Sequence, residues 1–393
     1  MSKPSALSLL LALSALSGCA TPYPEPVLAA STGGTDFDGI AAHLGREPLD
    51  VILVHGMCTT DRTWADRAVR GVVSALGEDP GGVELTEVPV AGSRILLYQQ
   101  SLATARGTLR FNAIVWSPLT TPLKADLCYD QTKKSATCPA DEAAKAYPYV
   151  RASLNRQLKD TILNDCLSDA LIYQGRSRDE INAQMQAALL QAVATTGGGP
   201  RAADTVAAAA AIPASVPLVV ITESLGSKVA FDALIRLAAE PRTARAGART
   251  RDRIATVFMA ANQIPILSLA DRRLDGTPTA AAAEGIAPAG AASAPYPPDP
   301  VSALFAHQRT QRLRGDDAPT TPRIVAFTDP NDLLSFALAQ SPRTTYPTVD
   351  VVLSNDRTYF GFVELPTTAH QGYRTNPRFW HLVACGTGGK GCR

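Results

Sequence analysis

Short apolar runs rich in β-branched residues alternate with longer helical patterns over most of the chain. Five of these runs, at residues 50–54, 111–116, 217–222, 254–259 and 323–327, are predicted strands. The sequences VILV (51–54) and LVVI (218–221) are apolar without alternation, which is typical of strands buried on both faces. Strands that alternate with helices predict an α/β fold, a mostly parallel sheet flanked by helices. Ligands bind beyond the carboxyl ends of such strands.

Residues 119–200 interrupt this alternation with a cysteine-containing loop and two helical patterns. The first pattern places apolar residues at positions 158, 162, 166 and 170, and the second opens with Ser177 and Glu180 in the spacing of a capping box. We therefore expect a helical cap insertion that covers a site and shapes access to it. A structural insertion with no role in access stays open as the alternative.

Three further segments have distinctive compositions. Lys3 precedes an apolar run at residues 6–16 that is too short to span a bilayer, which predicts a secretion signal over residues 1–18. Residues 19–48 open with a proline-rich sequence and are predicted to be a tether. Residues 275–300 are mostly Ala, Pro and Gly and predict a flexible surface insertion. One folded domain over residues 49–393 remains.

The end of the leader has a specific motif. Leu16-Ser17-Gly18-Cys19 resembles the lipobox of bacterial lipoproteins, in which the cysteine becomes the acylated first residue after cleavage. The resemblance implies a lipoprotein signal peptide, lipidation of Cys19 and a membrane anchor in the bacterial cell envelope. Ala20 in place of Asp implies the outer membrane. An ordinary signal peptide with a chance cysteine is the alternative.

Composition narrows the class of protein. A chain of 393 residues that is 46% apolar is typical of a globular enzyme. The formal net charge is +1 and no basic cluster lies beside aromatic residues, so no nucleic-acid partner is expected.

The cysteines indicate disulfides rather than a metal site. Six cysteines remain when Cys19 is set aside, so an exported chain can form up to three disulfides. The Cys385–Cys392 pair is favoured because it brackets a short glycine-rich tail, and the other pairings stay open. The cysteines lack C-x-x-C spacing and the five histidines are scattered, so neither a metal nor a cofactor is expected.

The strongest chemical motif follows the predicted strand at 217–222. The sequence Glu223-Ser224-Leu225-Gly226 leads into a helical pattern and resembles the nucleophile elbow of the α/β-hydrolase superfamily. There the serine projects above the sheet, and small neighbours let strand and helix approach. Gly226 meets that need, whereas Thr222 stands where the family has a glycine. The resemblance implies that Ser224 is the nucleophile and that the Leu225 amide is one oxyanion donor.

An upstream turn completes the resemblance on the oxyanion side. His55-Gly56 follows the predicted strand at 50–54 and resembles the turn after an early strand of many α/β-hydrolases. The resemblance makes the Met57 amide the second oxyanion donor and gives His55 a structural role. Cys58 is left open between a free buried thiol and a disulfide partner.

A serine nucleophile needs a histidine base and an acid to orient it, which in this superfamily follow in the order serine, acid, histidine. The predicted strand at 323–327 runs into Thr328-Asp329-Pro330-Asn331-Asp332, a turn-rich sequence. Asp332 takes the acid's place in the family's G-x-x-D pattern and is the favoured acid. Asp329 is the alternative acid, or a turn former.

Two histidines follow the acid. His370 lies in a loop before a closing helix that is predicted to begin at residue 377, as in the superfamily's histidine loop, and it is the candidate base. His381 lies in the apolar pattern of that helix and is predicted to be packed in the core. His43 and His307 precede the acid and are out of order.

Together these resemblances imply a lipid-anchored serine hydrolase that cleaves carboxylic esters through Ser224, His370 and Asp332, with a small-molecule or lipid ester as substrate. Acyl transfer, thioester cleavage and amide cleavage use the same triad and stay open. A different class also stays open, namely an inactive hydrolase fold that serves binding or assembly in the envelope. The sequence leaves acyl-chain preference and oligomeric state undetermined.

Overall fold

A nine-stranded sheet forms the centre of the computed structural model, which describes residues 19–132, 135, 137–138, 149–194, 204–277, 299–305 and 322–392. The strands in chain order are β1 (Cys19–Ala20), β2 (Val27–Ala30), β3 (Leu49–Val54), β4 (Thr86–Pro89), β5 (Leu96–Thr104), β6 (Gly107–Val115), β7 (Leu218–Glu223), β8 (Ile254–Ala260), β9 (Arg323–Thr328), β10 (Thr348–Val352) and β11 (Thr358–Tyr359).

Helices connect and cover the strands. They are α1 (Arg62–Ala75), α2 (Thr121–Ala125), α3 (Ser153–Gln157), α4 (Ser168–Gln174), α5 (Arg178–Ala194), α6 (Thr205–Ala211), α7 (Leu225–Ala239), α8 (Ala244–Arg253), α9 (Ile264–Leu267), α10 (Pro366–Gln371) and α11 (Pro377–Cys385). A π-helix, Leu158–Leu167, lies between α3 and α4, and residues 300–305 are also helical. Short 3₁₀ turns lie at Ile40–His43, Pro80–Gly82, Ser117–Leu119, Cys128–Asp130 and Gly372–Thr375.

The sheet is mostly parallel, with the strand order β2-β10-β9-β8-β7-β3-β6-β5-β4. The strands from β10 to β6 run parallel to one another. At one edge β2 pairs antiparallel with β10, and at the other β5 pairs antiparallel with both β6 and β4. The predicted α/β class is confirmed, and the five predicted strands are β3, β6, β7, β8 and β9 of the parallel part.

Helices on both faces bury the central strands. Val51 of β3 belongs to a core that includes α1 and α11, whereas its neighbour Ile52 belongs to a second core that includes α5 and α7. Successive residues of a strand point to opposite faces, so a strand covered on both sides has to be apolar throughout. This explains why the apolar runs without alternation occur at β3 and β7.

The strand order reverses between β3 and β7. From β3 the chain goes to the outermost strand β4 and returns through β5 to β6 beside β3, whereas from β7 it continues in the other direction through β8, β9 and β10. Val54, at the end of β3, pairs with Thr222 near the end of β7. A crevice at the carboxyl ends of such neighbours is where open α/β sheets place ligands.

The predicted tether over residues 19–48 is wrong for most of its length. Val27–Ala30 forms β2 and pairs with β10, while Phe37 is 5% exposed and Ile40 is fully buried. The proline-rich opening is typical of a spacer. The strand in this segment has only four residues and the buried residues after it are isolated, so the segment has no periodic hydrophobic pattern. Their burial against the sheet makes this segment part of the domain.

The interruption at residues 119–200 is helical where the structure describes it, with α2, α3, the π-helix, α4 and α5. The π-helix was not predicted, because its hydrogen-bonding pattern has no distinct hydrophobic period. The predicted flexible insertion at 275–300 lies mostly outside the described residues, and the leader at 1–18 lies entirely outside them.

Three disulfides pair Cys58 with Cys166, Cys128 with Cys138, and Cys385 with Cys392. The prediction of up to three disulfides is confirmed, as is the favoured pairing in the tail. Cys58, left open by the sequence, is a disulfide partner. Within the described part of the chain, none of the helices combines the length and apolarity needed to cross a bilayer.

Candidate active site

Ser224 occupies a sharp turn between β7 and α7. Its backbone has φ 52° and ψ −128°, a conformation that residues with a side chain rarely adopt. Its N–H donates to the carbonyl of Ala260 over 2.8 Å, which ties the turn to the end of β8. The turn therefore holds the serine at the carboxyl end of a central strand.

Two glycines permit the close approach around this turn. A Cβ on Gly226 would lie 2.1 Å from the carbonyl oxygen of His55, and one on Gly56 would lie 2.7 Å from the Ser224 Cβ. Any side chain at either position would push the end of β3 away from the turn after β7. The expectation that Gly226 lets helix and strand approach is consistent with this geometry.

Thr222 is accommodated by a partner on α7. Its Oγ1 lies 2.8 Å from the Oγ of Ser227, and both residues are fully buried. A hydroxyl can donate and accept, so the two buried groups satisfy each other. The threonine thus fits where the resembled family has a glycine, because the facing helical residue is small and polar.

The structure brings Ser224, His370 and Asp332 into one hydrogen-bonded chain. Ser224 Oγ lies 3.0 Å from His370 Nε2, and His370 Nδ1 lies 2.9 and 3.0 Å from the two carboxylate oxygens of Asp332. An ionised carboxylate only accepts, so Nδ1 carries the proton and Nε2 is free to accept from the serine. His370 lies in the short helix α10 rather than in the predicted loop.

Asp332 and Asp329 have different environments. Asp332 lies in the turn after β9 and also accepts the Leu334 N–H over 3.0 Å. Asp329 accepts the backbone N–H groups of Asn331 at 2.9 Å and Asn355 at 2.6 Å, so it closes the turn. Burial raises the pKa of Asp329. Of the two candidates, Asp332 contacts the histidine and Asp329 forms the turn.

The two predicted oxyanion donors lie beside the serine. Leu225 is the first residue of α7, where backbone N–H groups have no partner within the helix and carry partial positive charge. Met57 follows Gly56, which adjoins the Ser224 side chain. Met57, Ser224 and His370 line one narrow cleft of about 10 Å³, roughly the space of a single water. Their catalytic roles stay predictions.

The loop that carries Met57 is held by carboxylates from the helical interruption. The Cys58 N–H donates to Asp169 over 2.8 Å, and the Thr59 N–H and hydroxyl donate to Asp165 over 3.0 and 2.7 Å. The Cys58–Cys166 disulfide adds a covalent link at the same place. The interruption thus positions one side of the cleft.

A buried lysine offsets the charge of those carboxylates. Lys124 Nζ lies 2.8 Å from Asp165 and 3.0 Å from Asp169, and its side chain is fully buried. Burial opposes ionisation of Asp165, yet Lys124 and the Thr59 donors hold the pKa of its carboxyl below the ordinary value. Burial raises the pKa of Asp169 in spite of Lys124. This cluster was not predicted, and its one signal in the sequence is a pair of aspartates a helical turn apart, on either side of Cys166.

A second missed feature is an ion pair beside the serine. Glu223 accepts from the indole N–H of Trp64 over 3.1 Å and from Arg374 over 2.8 Å. Both charged residues line the cleft. The glutamate is next to Ser224 in the chain, so its two partners stabilise the backbone at the turn.

His55 has the structural role that the sequence predicted. Its Nε2 accepts the N–H groups of Trp116 at 2.8 Å and Ser117 at 3.1 Å, and its ring stacks on Trp116. Burial holds the pKa of His55 well below its ordinary value, so the ring is neutral. The prediction of a packed His381 is wrong: this residue is exposed, because Phe379 and Trp380 take the buried face of α11.

Cys19, the predicted lipidation residue, is exposed and lies in β1. It pairs with Tyr359 of β11, in the segment that leads to His370. Comparison of the chain with protein-family models, with curated proteins and with solved structures found no match.

Proposed function

We propose that the protein is a serine hydrolase with an α/β-hydrolase fold and that it cleaves carboxylic esters. The observation that carries the proposal is the hydrogen-bonded chain from Ser224 through His370 to Asp332, at the crevice where the strand order reverses. A nucleophile within reach of a base that a third group orients is the geometric signature of this chemistry. The strained turn at Ser224 adds support.

In the first half of the reaction, Ser224 Oγ attacks the ester carbonyl carbon while His370 Nε2 takes its proton. The Met57 and Leu225 amides donate to the oxyanion that forms. Asp332 stabilises the imidazolium through Nδ1. His370 then gives the proton to the leaving alcohol oxygen as the carbon–oxygen bond breaks, which leaves an acyl group on Ser224.

In the second half, a water molecule attacks the acyl carbon while His370 takes one of its protons. The second tetrahedral intermediate collapses, the proton returns to Ser224 Oγ, and the carboxylic acid leaves. An alcohol or amine in place of the water gives acyl transfer through the same residues.

We also infer that the protein is lipid-anchored through Cys19 in the bacterial cell envelope, at the outer membrane. All seven cysteines lie within the described residues, and Cys19 is the one outside the three disulfides. Disulfides form and persist in oxidising compartments, which is consistent with export. The free cysteine is the one that the lipobox resemblance selects.

Labelling with a fluorophosphonate, followed by mass spectrometry, tests the proposed activity. We expect an adduct on Ser224 that disappears in His370→Ala, together with a loss of kcat/KM on nitrophenyl esters of at least about 10³-fold. His381→Ala is the matched control, because this histidine is exposed and lies 11 positions later in the chain. A folded protein with no adduct would contradict the proposal and favour a binding or assembly role.

A further inference from the structure

A tight hairpin projects from the segment between β10 and α10. The Phe362 N–H donates to the Tyr359 carbonyl over 3.0 Å, and the Tyr359 N–H donates to the Val363 carbonyl over 2.7 Å. Phe360 and Gly361 have φ values of 53° and 68°. Positive φ at both central residues is the type I′ geometry, which favours Asn-Gly at these two positions.

Phe360 is an unusual residue for the tip of such a turn. A bulky residue is strained at positive φ, yet Phe360 is 58% exposed and gains little burial in return. Phe362, two residues later, is 93% exposed. Strain without compensating contacts inside the fold indicates a function outside it.

The hairpin is part of a larger apolar rim, which we define as Leu333, Phe360, Phe362, Val363 and Leu365. All five side chains are between 45% and 93% exposed. Asn331 donates to Glu364 over 2.8 Å, so the loop that carries Leu333 contacts the hairpin segment. Clustered exposed apolar side chains mark an interaction surface.

The rim lies next to the candidate active site. Leu333 directly follows Asp332, and Leu365 directly precedes α10, which carries His370. Whatever covers the rim therefore lies against the turn that carries Asp332 and the start of the helix that carries His370.

The proposed lipid attachment point lies at the same place. Cys19 pairs with Tyr359, and Ala20 pairs with Thr358, whose hydroxyl donates to the Ala20 carbonyl over 2.9 Å. Tyr23 is held to Ser354 by two hydrogen bonds of 3.0 and 3.2 Å. The N-terminal segment is thus fixed along the domain, so acyl chains on Cys19 would emerge beside the hairpin.

We propose that the apolar rim inserts into the phospholipid bilayer that holds the Cys19 acyl chains, and that the enzyme hydrolyses an ester of a lipid in that bilayer. This inference rests on the lipid anchor and the hydrolase activity proposed above. A long tether would leave the orientation free, whereas a short segment paired to the hairpin turns the rim and the adjacent cleft towards the membrane. The rim consists of Phe, Leu and Val, apolar side chains that are favourably buried at the boundary between headgroups and acyl chains.

Tryptophan quenching tests the orientation. The acylated chain carrying Phe362→Trp is reconstituted in phosphatidylethanolamine and phosphatidylglycerol vesicles, with or without brominated acyl chains. We expect at least about twofold quenching of the added fluorescence by brominated lipid. Leu274→Trp is the matched control, since Leu274 is exposed outside the rim. The native tryptophans at 64, 116 and 380 are buried, and the parent chain supplies their background.

The alternatives give different outcomes. No quenching at residue 362 in anchored protein, or equal quenching at 362 and 274, would overturn the proposal. A blue shift of the Phe362→Trp emission without vesicles, accompanied by dimers in light scattering of the Cys19→Ser chain, would overturn the proposal. The rim would then bind a second copy of the chain.

A second experiment tests the substrate class. The double variant Phe360→Asn, Phe362→Ser keeps a favourable turn, because asparagine adopts positive φ readily. We expect vesicle partitioning of the Cys19→Ser chain to fall about tenfold or more. Hydrolysis of vesicle-embedded esters is expected to fall with it, while a soluble short-chain ester is cleaved at the parent rate. An equal loss on both substrates would contradict a membrane role.

The two proposals fail separately. Quenching is also measured in Ser224→Ala, which cannot form an acyl-enzyme but keeps the rim. Quenching in both proteins, together with no fluorophosphonate adduct on Ser224 of the parent, would retain the docking and overturn the hydrolysis of a lipid ester. An unmodified Cys19 in the mass spectrum of the mature protein would overturn the anchor.

Discussion

Gly226 is a residue at which one added methyl group would meet backbone directly. Its Cβ would lie 2.1 Å from the His55 carbonyl oxygen, which is backbone and cannot rotate away. We expect Gly226→Ala to lower the free energy of unfolding by about 1–3 kcal/mol. A shift of the loop that carries Met57 by even 1 Å should lower kcat/KM roughly 10²-fold.

Urea unfolding and ester hydrolysis measure the two effects of Gly226→Ala. Gly45→Ala is the control, since a Cβ there meets no atom within 4 Å. Equal behaviour of the two variants would show that the turn after β7 tolerates a side chain, contrary to the geometry.

Glu364 predicts a pH dependence of stability. Burial, and then repulsion by Asp329, raises the pKa of Glu364 from 4.5 to about 7. Because the folded state holds the proton more tightly, the stabilisation is complete below about pH 4.5 and is lost as the pH rises through 7. We expect this group to lower stability by about 1–2 kcal/mol between pH 5 and 8.

Urea midpoints of the parent and of Glu364→Gln at pH 5 and pH 8 test this dependence. A glutamine oxygen still accepts from Asn331 but does not ionise. The difference in urea midpoint between variant and parent should therefore shift in favour of the variant from pH 5 to pH 8. Parallel pH profiles for the two proteins would rule the carboxyl out as the cause.

At the scale of the elements, the strands of the parallel sheet were predictable and its edges were not. β3 and β7 are buried on both faces and read as continuous apolar runs. β2 and β10 were missed because short strands near an edge give neither a long apolar run nor a clear alternation. The short β1–β11 pairing depends on two distant segments meeting, which no local pattern records.

An ion-pair cluster that joins α2 to the π-helix and α4 supports one wall of the cleft. Lys124 is the cation between Asp165 and Asp169, which in turn hold the backbone of residues 58 and 59. We expect Lys124→Met to lower the free energy of unfolding by roughly 3–5 kcal/mol, because it leaves two buried carboxylates without a counter-charge. The turnover number should also fall, because the Met57 amide loses its support.

Denaturant unfolding and kcat are measured for Lys124→Met and for Lys124→Met combined with Asp165→Asn and Asp169→Asn. The amide oxygens still accept from the loop and carry no charge, so the triple variant should recover most of the stability. If it is no more stable than the single variant, charge is not the reason for the loss.

At the scale of the whole molecule, the disulfides differ in the length of chain they close. Cys58–Cys166 spans 108 residues and joins the loop that carries Met57 to the π-helix, whereas Cys385–Cys392 spans 7. Loop-closure entropy predicts that replacing both cysteines by serine lowers the free energy of unfolding by about 5 kcal/mol for the first pair and about 2 kcal/mol for the second. Loss of the first pair should also lower ester hydrolysis.

Thermal or urea unfolding and hydrolysis assays of the two double serine variants provide the comparison. The tail pair is the control, because it lies outside the cleft lining. Undiminished hydrolysis in the folded Cys58→Ser, Cys166→Ser variant would show that the hydrogen bonds from Asp165 and Asp169 suffice to hold the loop.

The sequence by itself determined the features that depend on neighbouring residues. These are the α/β class, the strand–turn–helix around Ser224, the small residue at Gly226, and the chain order of serine, acid and histidine. Such features follow from steric limits and hydrophobic spacing over a few positions, which a single sequence displays.

Only the tertiary structure decided which distant groups meet. His370 lies 146 positions from Ser224, and their 3.0 Å contact depends on the order in which the strands pair. The contact of His370 with Asp332, the buried Lys124 cluster and the fixed position of Cys19 beside the hairpin were decided in the same way. Burial and charge pairing are properties of the assembled core and surface, so no local pattern carries them.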